Sequence, residues 1–166
     1  MTNHDIFKYC PRCAGSARLE DERKVVCGAC GFGLYLNTAA AVAGLIFDEE
    51  GRLLVARRSR DPQKGLLDLP GGFADYGEDA ESALRREMRE ELGTDVENIK
   101  YFRSIPNVYR YGGVLYHTLD LFFTCAPTRP DLILNDEITE ILYIYPQKIA
   151  ADEIAFDSMK KLFELF

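Results

Sequence analysis

The run GGFADYGEDAESALRREMREELG at residues 71–93 constrains this chain more than any other feature. Leu84, Met88 and Leu92 recur at i, i+4 and i+8, which predicts a helix over Asp79 to Leu92 with one face against a core. Gly93 is placed to stop it as a residue just past a helix end should. Glu87, Glu90 and Glu91 share one side of that helix, because residues at i, i+3 and i+4 are neighbours on its surface. Carboxylates at this spacing repel one another. Arg85, Arg86 and Arg89 offer a bland remedy, a salt-bridged surface helix. The residues before the helix point elsewhere. Gly71-Gly72 and Gly77-Glu78 let backbone groups approach a phosphate or a metal closely. A carboxylate trio beside such a turn can hold divalent cations whose remaining positions take phosphate oxygens and water.

Strand-like segments flank the helix. TAAAVAGLIFDEEGRLLVARRS, from Thr38, predicts two strands joined by a turn at Asp48-Glu49-Glu50-Gly51. GLLDLPGGF leads to a Pro-Gly-Gly turn, and NIKYFRSIPNV, VLYHTLDLFFTCAP and EITEILYIYP read as further strands. Met159, Leu162, Phe163 and Phe166 predict an amphipathic helix over Asp157 to Phe166. Strands on both sides of a central helix give an α/β fold, a mixed sheet sandwiched in α/β/α layers. A chain of 166 residues suits one domain, or one with a small appendage.

The appendage is written in cysteine. Cys10-Pro-Arg-Cys13 and Cys27-Gly-Ala-Cys30 are two CxxC pairs, each fitting a tight knuckle that Gly15 and Gly31 help to turn. Four thiolates make a closed tetrahedral zinc site whose binding energy folds a segment too small for its own core. A redox pair would need a βαβ context that is absent here. Arg18 to Val26 is expected to form a short hairpin, so residues 1–36 read as a zinc ribbon and 37–166 as the main domain. Cys125, within LDLFFTC, reads as a buried core thiol.

The net charge of −7 argues against non-specific nucleic-acid binding. Basic and acidic residues are nearly balanced in the ribbon (Lys8, Arg12, Arg18, Arg23, Lys24 against Asp5, Glu20, Asp21, Glu22), which makes nucleic acid an unlikely partner there too. The longest apolar run, Ala39 to Phe47, is too short to cross a bilayer, and MTNHDIFKYC shows no signal-peptide h-region. A cytoplasmic location is expected, with no membrane partner.

Gly72, five residues, Glu78, seven residues, then Arg86-Glu87-Met88-Arg89-Glu90-Glu91-Leu92-Gly93 resembles the Nudix box, G-x5-E-x7-R-E-U-x-E-E-x-G-U. Every fixed position agrees; Thr94 stands where an aliphatic residue is usual. The preceding LPGG also looks like the family. The resemblance implies a Nudix-type sandwich and a pyrophosphohydrolase using Mg²⁺ or Mn²⁺. It implies Glu87, Glu90 and Glu91 as metal ligands, joined by the Gly72 carbonyl, and Glu78 with Arg86 as the pair holding helix and loop in register. Glu87 or Glu90 is the candidate general base. Glu137, in DEITEILYIYP, is the candidate for a further ligand or base from outside the box, with Glu140 competing.

A zinc ribbon ahead of a Nudix domain resembles the NADH pyrophosphatase branch, which carries S-Q-P-W-P-F-P-x-S after the box. Here Ser104 to Gly112 reads SIPNVYRYG; only the Ser-x-Pro start is kept, and the chain has no Trp. The element tied to NADH recognition is therefore altered. The substrate expected is a nucleoside diphosphate linked to another group, such as NADH, ADP-ribose or a related dinucleotide, cut to AMP and a phosphorylated product. Tyr109, Tyr111 and His117 are candidates for holding its base or ribose, and Arg57, with Arg58, for meeting its phosphates. A non-catalytic nucleotide sensor with the ribbon as its interaction module is the alternative, and hydrolysis of nucleoside triphosphates a third option. A homodimer is plausible by the same resemblance.

Overall fold

The computed structural model describes residues 6–166; the opening residues of the stretch expected to lack an h-region lie outside the described residues. Two compact units emerge. The first comprises the described residues up to Thr38 together with Val108–His117, and the second comprises Ala39–Asn107 with Thr118–Phe166.

In the first unit, β1 (Ala17–Leu19) and β2 (Lys24–Cys27) form the expected hairpin, and β3 (Gly33–Tyr35) adds a third antiparallel strand. The tip of a long hairpin, at Gly112 and Gly113 with positive φ, belongs to the same unit.

The second unit holds β4 (Ala39–Leu45), β5 (Leu53–Arg58), β6 (Leu67–Asp68), β7 (Gly71–Phe73), α1 (Ala80–Leu92), most of β8 (Val96–Tyr111) and β9 (Val114–Pro127), β10 (Ile138–Ile144) and α2 (Asp157–Phe163). One sheet has the order β7-β4-β9-β8, the other β10-β5-β6. β4 runs parallel to β9 and antiparallel to β7, so the sheet is mixed as expected.

The two strands either side of Asp48–Gly51 do not form one hairpin. They touch at the Phe47↔Leu53 bridge and then part. β7 and β9 occupy both edges of β4, so β5 pairs with β10 and β6 instead. Strand β5 explains the layering. Leu53 to Ala56 are all buried, yet Leu54 and Ala56 join a core with Leu84, Met88 and Leu92 of α1. Leu53 and Val55 join a second core with Met159, Leu162 and Phe163 of α2. A strand covered on both faces loses the alternation of a half-exposed one. Each fully buried Leu of these cores contributes about 1.5–3 kcal/mol.

α2 ends three residues before the expected Phe166. Phe166 instead stacks on Phe102, with centroids 5.9 Å apart, and meets Phe47 edge-on at 5.8 Å. Cys125 is buried in the α1-side core, where burial pushes its thiol up to about 12.

Candidate active site

The adjacent glycines of β7 serve different ends. Gly71 pairs with Ala43 and has φ +148; a Cβ there would run into the Val42 and Ala43 backbone, so the strand register itself requires glycine. Gly72 has room at the backbone, but its Cβ would stand 2.5 Å from Glu87 Oε1. The turn is therefore pressed directly against a helix carboxylate. Asp79 caps α1 by accepting from Ser82 N–H at 2.7 Å, and Gly93, at φ 65, closes it with its N–H to Met88 O. Thr94, the departure from the box, is buried and satisfies its hydroxyl by donating to Asp95 O at 3.0 Å.

Arg86 is the hub. Its Nε donates to Glu78 Oε1 and its Nη2 to Glu78 Oε2, both at 2.9 Å, and Nη2 also donates to Phe73 O at 2.8 Å. A bidentate pair of this kind fixes geometry as well as charge, and with the bond to Phe73 O it ties the loop to the helix. Nη1 reaches Glu87 Oε1 at 2.7 Å and Glu90 Oε2 at 3.1 Å. The Arg86 hydrogen bonds hold the Glu78 carboxyl below the usual carboxylate range.

Glu91 points the other way, accepting from Gly71 N–H at 2.9 Å. With Ala56, Arg58, Arg60, Asp68, Leu69, Glu137 and Ile138 it lines one cleft. Burial pushes Glu91 up to about 8, against the pull of the Gly71 N–H, and Asp68, Glu87 and Glu137 add to the rise. Burial also raises Glu87, with Arg86 opposing, and raises Asp68, with Arg58 opposing. Hard carboxylate oxygens facing a partly dry cleft are donors that a divalent cation takes, and binding one releases the proton that burial favours on such a group.

Among the described residues, Cys10, Cys13, Cys27 and Cys30 are the set of three or more metal-ligating side chains whose donor atoms all lie within 4.8 Å of one another. The carboxylates are not so gathered: Glu87 and Glu90 accept from Arg86, Glu137 from Arg60 and Glu91 from the Gly71 amide. Cys10 and Cys30 sulfurs are 3.7 Å apart and those of Cys13 and Cys27 3.6 Å, close to the edge of a tetrahedron with Zn–S bonds of about 2.3 Å. Amides of Cys30 and Ala29 draw the Cys27 thiol down to about 6. Gly31 takes the left-handed φ of 69 in the second knuckle. In the first, Ala14 takes it, at φ 58, while Gly15 is needed for space: its Cβ would meet Ala29 Cβ at 3.2 Å and Cys13 Sγ at 3.3 Å.

Glu137 reaches the cleft, where it accepts from Arg60 Nη1 at 3.1 Å. Arg57 does not line it: its Nε donates to Glu140 and its Nη1 to Gly65 O at 2.9 Å. The cleft arginines are Arg58 and Arg60, with Asp68 as a further carboxylate. Strand period marks Arg58, because side chains two apart share a face and Ala56 and Arg58 point together. Nothing in the sequence pattern marked Arg60 or Asp68. Tyr109, Tyr111 and His117 fall in the other compact unit. Tyr109 stacks on Tyr116 at 5.7 Å, and Tyr111 and His117 are exposed.

A family model described as the NUDIX domain matches residues 37–166. The chain belongs to the Nudix family. It is 44% identical over 76 residues to the ADP-ribose pyrophosphatase of Methanocaldococcus jannaschii, covering 46% of this chain and 42% of that one. It is 33% identical over 109 residues to the human mitochondrial NAD(P)H pyrophosphatase NUDT13, covering 61% of this chain and 28% of that one. The chain thus spans less than half the length of these curated relatives. Its fold is shared with a Nudix hydrolase from Nitrosomonas europaea, at a TM-score of 0.66 and 24% identity over 94% of this chain and 88% of that one. The Arg86 hub therefore lies within a Nudix domain, and the cysteine cluster precedes it. No helix among the described residues is long and apolar enough to cross a membrane.

Proposed function

We propose that this Nudix chain is a divalent-cation-dependent pyrophosphohydrolase. Its substrate is a nucleoside diphosphate linked to a second group, with ADP-ribose and reduced nicotinamide dinucleotides first among the class, and its products are AMP and a phosphorylated remainder. The observation that carries this is the intact box, in which Gly72 presses on Glu87 and the partly buried Glu91 shares a cleft with Asp68 and Glu137. The names of the two relatives, which cut ADP-ribose and NAD(P)H, support the substrate class.

Glu87, Glu90, Glu91, the Gly72 carbonyl and Glu137 would hold Mg²⁺ or Mn²⁺. When bound, the cation supplies Lewis-acid polarisation of a phosphoryl oxygen and lowers the pKa of water. The chain's own groups do the rest. Glu78 and Arg86 hold the loop and helix in register. Glu87 or Glu90 is the group to take the proton of the attacking water. Arg58, fixed by Asp68 at 2.6 Å, gives the cleft a permanent positive charge for the diphosphate. Residues 1–36 act as a separate zinc ribbon, its Zn²⁺ structural and held by Cys10, Cys13, Cys27 and Cys30. A reducing cytoplasm keeps those thiols available.

The test is a product assay across ADP-ribose, NADH, NAD⁺, FAD and nucleoside triphosphates with Mg²⁺, and Glu91→Gln as the control. AMP from a dinucleotide, lost in Glu91→Gln, is expected. Tight nucleotide binding without turnover of any of them would replace the hydrolase with a sensor.

A further inference from the structure

Two arginines line the cleft, and the structure holds them in opposite ways. Arg58 is fixed: Nη1 donates to the partly buried Asp68 at 2.6 Å, Nε to Pro62 O at 2.8 Å, and the guanidinium lies 5.1 Å from the Phe156 ring centre. Arg60 is held by side chains alone. Nη1 donates to Glu137 Oε1 at 3.1 Å and Nη2 to Asp136, and all three side chains are more than half exposed. The backbone beneath them is pinned. Ser59 N–H donates to Glu137 O at 2.9 Å, Ser59 Oγ to Asp136 O at 2.5 Å, and Glu137 N–H to Asn135 Oδ1 at 2.9 Å. Only rotamers need change for Arg60 and Glu137 to part, and exposed ion pairs of this kind hold weakly.

We propose that Arg60 is an exchangeable phosphate-binding arm that parks on Glu137 until a divalent cation claims that carboxylate. The inference rests on the pyrophosphohydrolase reading of the cleft. With no cation bound, Arg60 pairs with Glu137 and offsets its charge in the cleft that Glu137 shares with Glu91. Once Glu137 turns to a cation, Arg60 loses one of its two carboxylate partners. Its planar fork then suits a phosphate oxygen pair of the substrate. Arg58 has no such freedom, because releasing it would leave the partly buried Asp68 carboxylate, which then accepts only from the Leu69 N–H, without its counter-charge. Cation binding and diphosphate binding are thereby coupled through one side chain: the cation competes with Arg60 for Glu137, and the diphosphate rewards its departure. Arg60 is a positioning residue for Glu137 and a specificity residue for the diphosphate.

The coupling has a signature of opposite signs. In Arg60→Ala, Mn²⁺ meets no competitor for Glu137 and binds several-fold tighter, read from free Mn²⁺ by electron paramagnetic resonance. In the same variant, with Mn²⁺ saturating, the non-hydrolysable diphosphate α,β-methylene-ADP binds about tenfold weaker or worse by titration calorimetry, as loss of a charge-assisted hydrogen-bond pair requires. Arg60→Lys, which keeps the charge but not the fork, recovers part of the analogue affinity. Both measurements are equilibrium binding, so they stand even if no dinucleotide is turned over, and failure of the hydrolase reading would appear separately in the product assay. Either constant unchanged, or both weakened together with a lower Tm, overturns the proposal.

Discussion

Gly72→Ala separates the site from the fold. The added Cβ would lie 2.5 Å from Glu87 Oε1, 2.7 Å from its Cδ and 2.9 Å from Oε2, so the whole carboxyl must retreat. Ordinary contact begins at 3.4 Å, and 3.4 − 2.5 gives a displacement of 0.9 Å. A catalytic group misplaced by about 1 Å loses on the order of 100-fold in rate, or about 2.7 kcal/mol of barrier. The fold is spared, because Gly72 lies outside the positive-φ glycines and an alanine there costs the backbone nothing. Stability should move by less than about 1 kcal/mol, or a few degrees of Tm. Gly71→Ala is the contrast: at φ +148 and against the Val42 backbone, it should fail to fold. The assay is kcat/KM for AMP release beside Tm by scanning fluorimetry, for the wild type and both variants. Activity within about threefold of wild type in folded Gly72→Ala, less than half a decade where two are expected, would refute the claim that Glu87 must sit where the turn puts it. So would a large fall in its Tm.

Leu84→Ala opens a cavity in the α1-side core and should cost about 2–5 kcal/mol, lowering Tm by roughly 5–20 °C in thermal melts. In EDTA, the raised Glu91 pKa sets the sign of a pH effect: its protonated form fits the fold, so its contribution is full below the usual carboxylate range and is lost as pH rises through about 8. Tm should therefore fall across that window from this group, and Glu91→Gln should flatten the fall. Elemental analysis should find one zinc per chain, and Cys10→Ser or Cys27→Ser should lose it, since a closed four-thiolate site does not tolerate a missing ligand.

Most of the box was legible because its chemistry is local. Helix period set the face of Leu84, Met88 and Leu92, and a glycine fixed the stop; the i, i+3, i+4 rule placed the carboxylates on one side of the helix but not their partners, since Glu87 and Glu90 turn to Arg86 and Glu91 to the Gly71 amide. What remained hidden depends on pairing between distant segments. Asp48–Gly51 reads as a hairpin turn and is one only at its base, because strand partners far along the chain compete for β4. Arg57 and Arg58 stand at the same strand end, but β10 supplies Glu140 to one and β6 supplies Asp68 to the other. Arg60 and Asp136 are exposed charges in loops, where no periodicity operates. Ala14, not a glycine, bears the left-handed turn of the first knuckle, because neighbouring atoms rather than backbone freedom dictate Gly15.

The central claim is that the carboxylates around Gly72 hold a divalent cation against a diphosphate. Anomalous diffraction at the manganese edge, from crystals grown with Mn²⁺ and α,β-methylene-ADP, tests it most directly. The account predicts a peak bonded at roughly 2.1–2.2 Å to oxygens of Glu87 and Glu91, with an analogue phosphate oxygen completing its shell. A bound analogue with no manganese at those glutamates, or manganese held elsewhere in the domain, would contradict it.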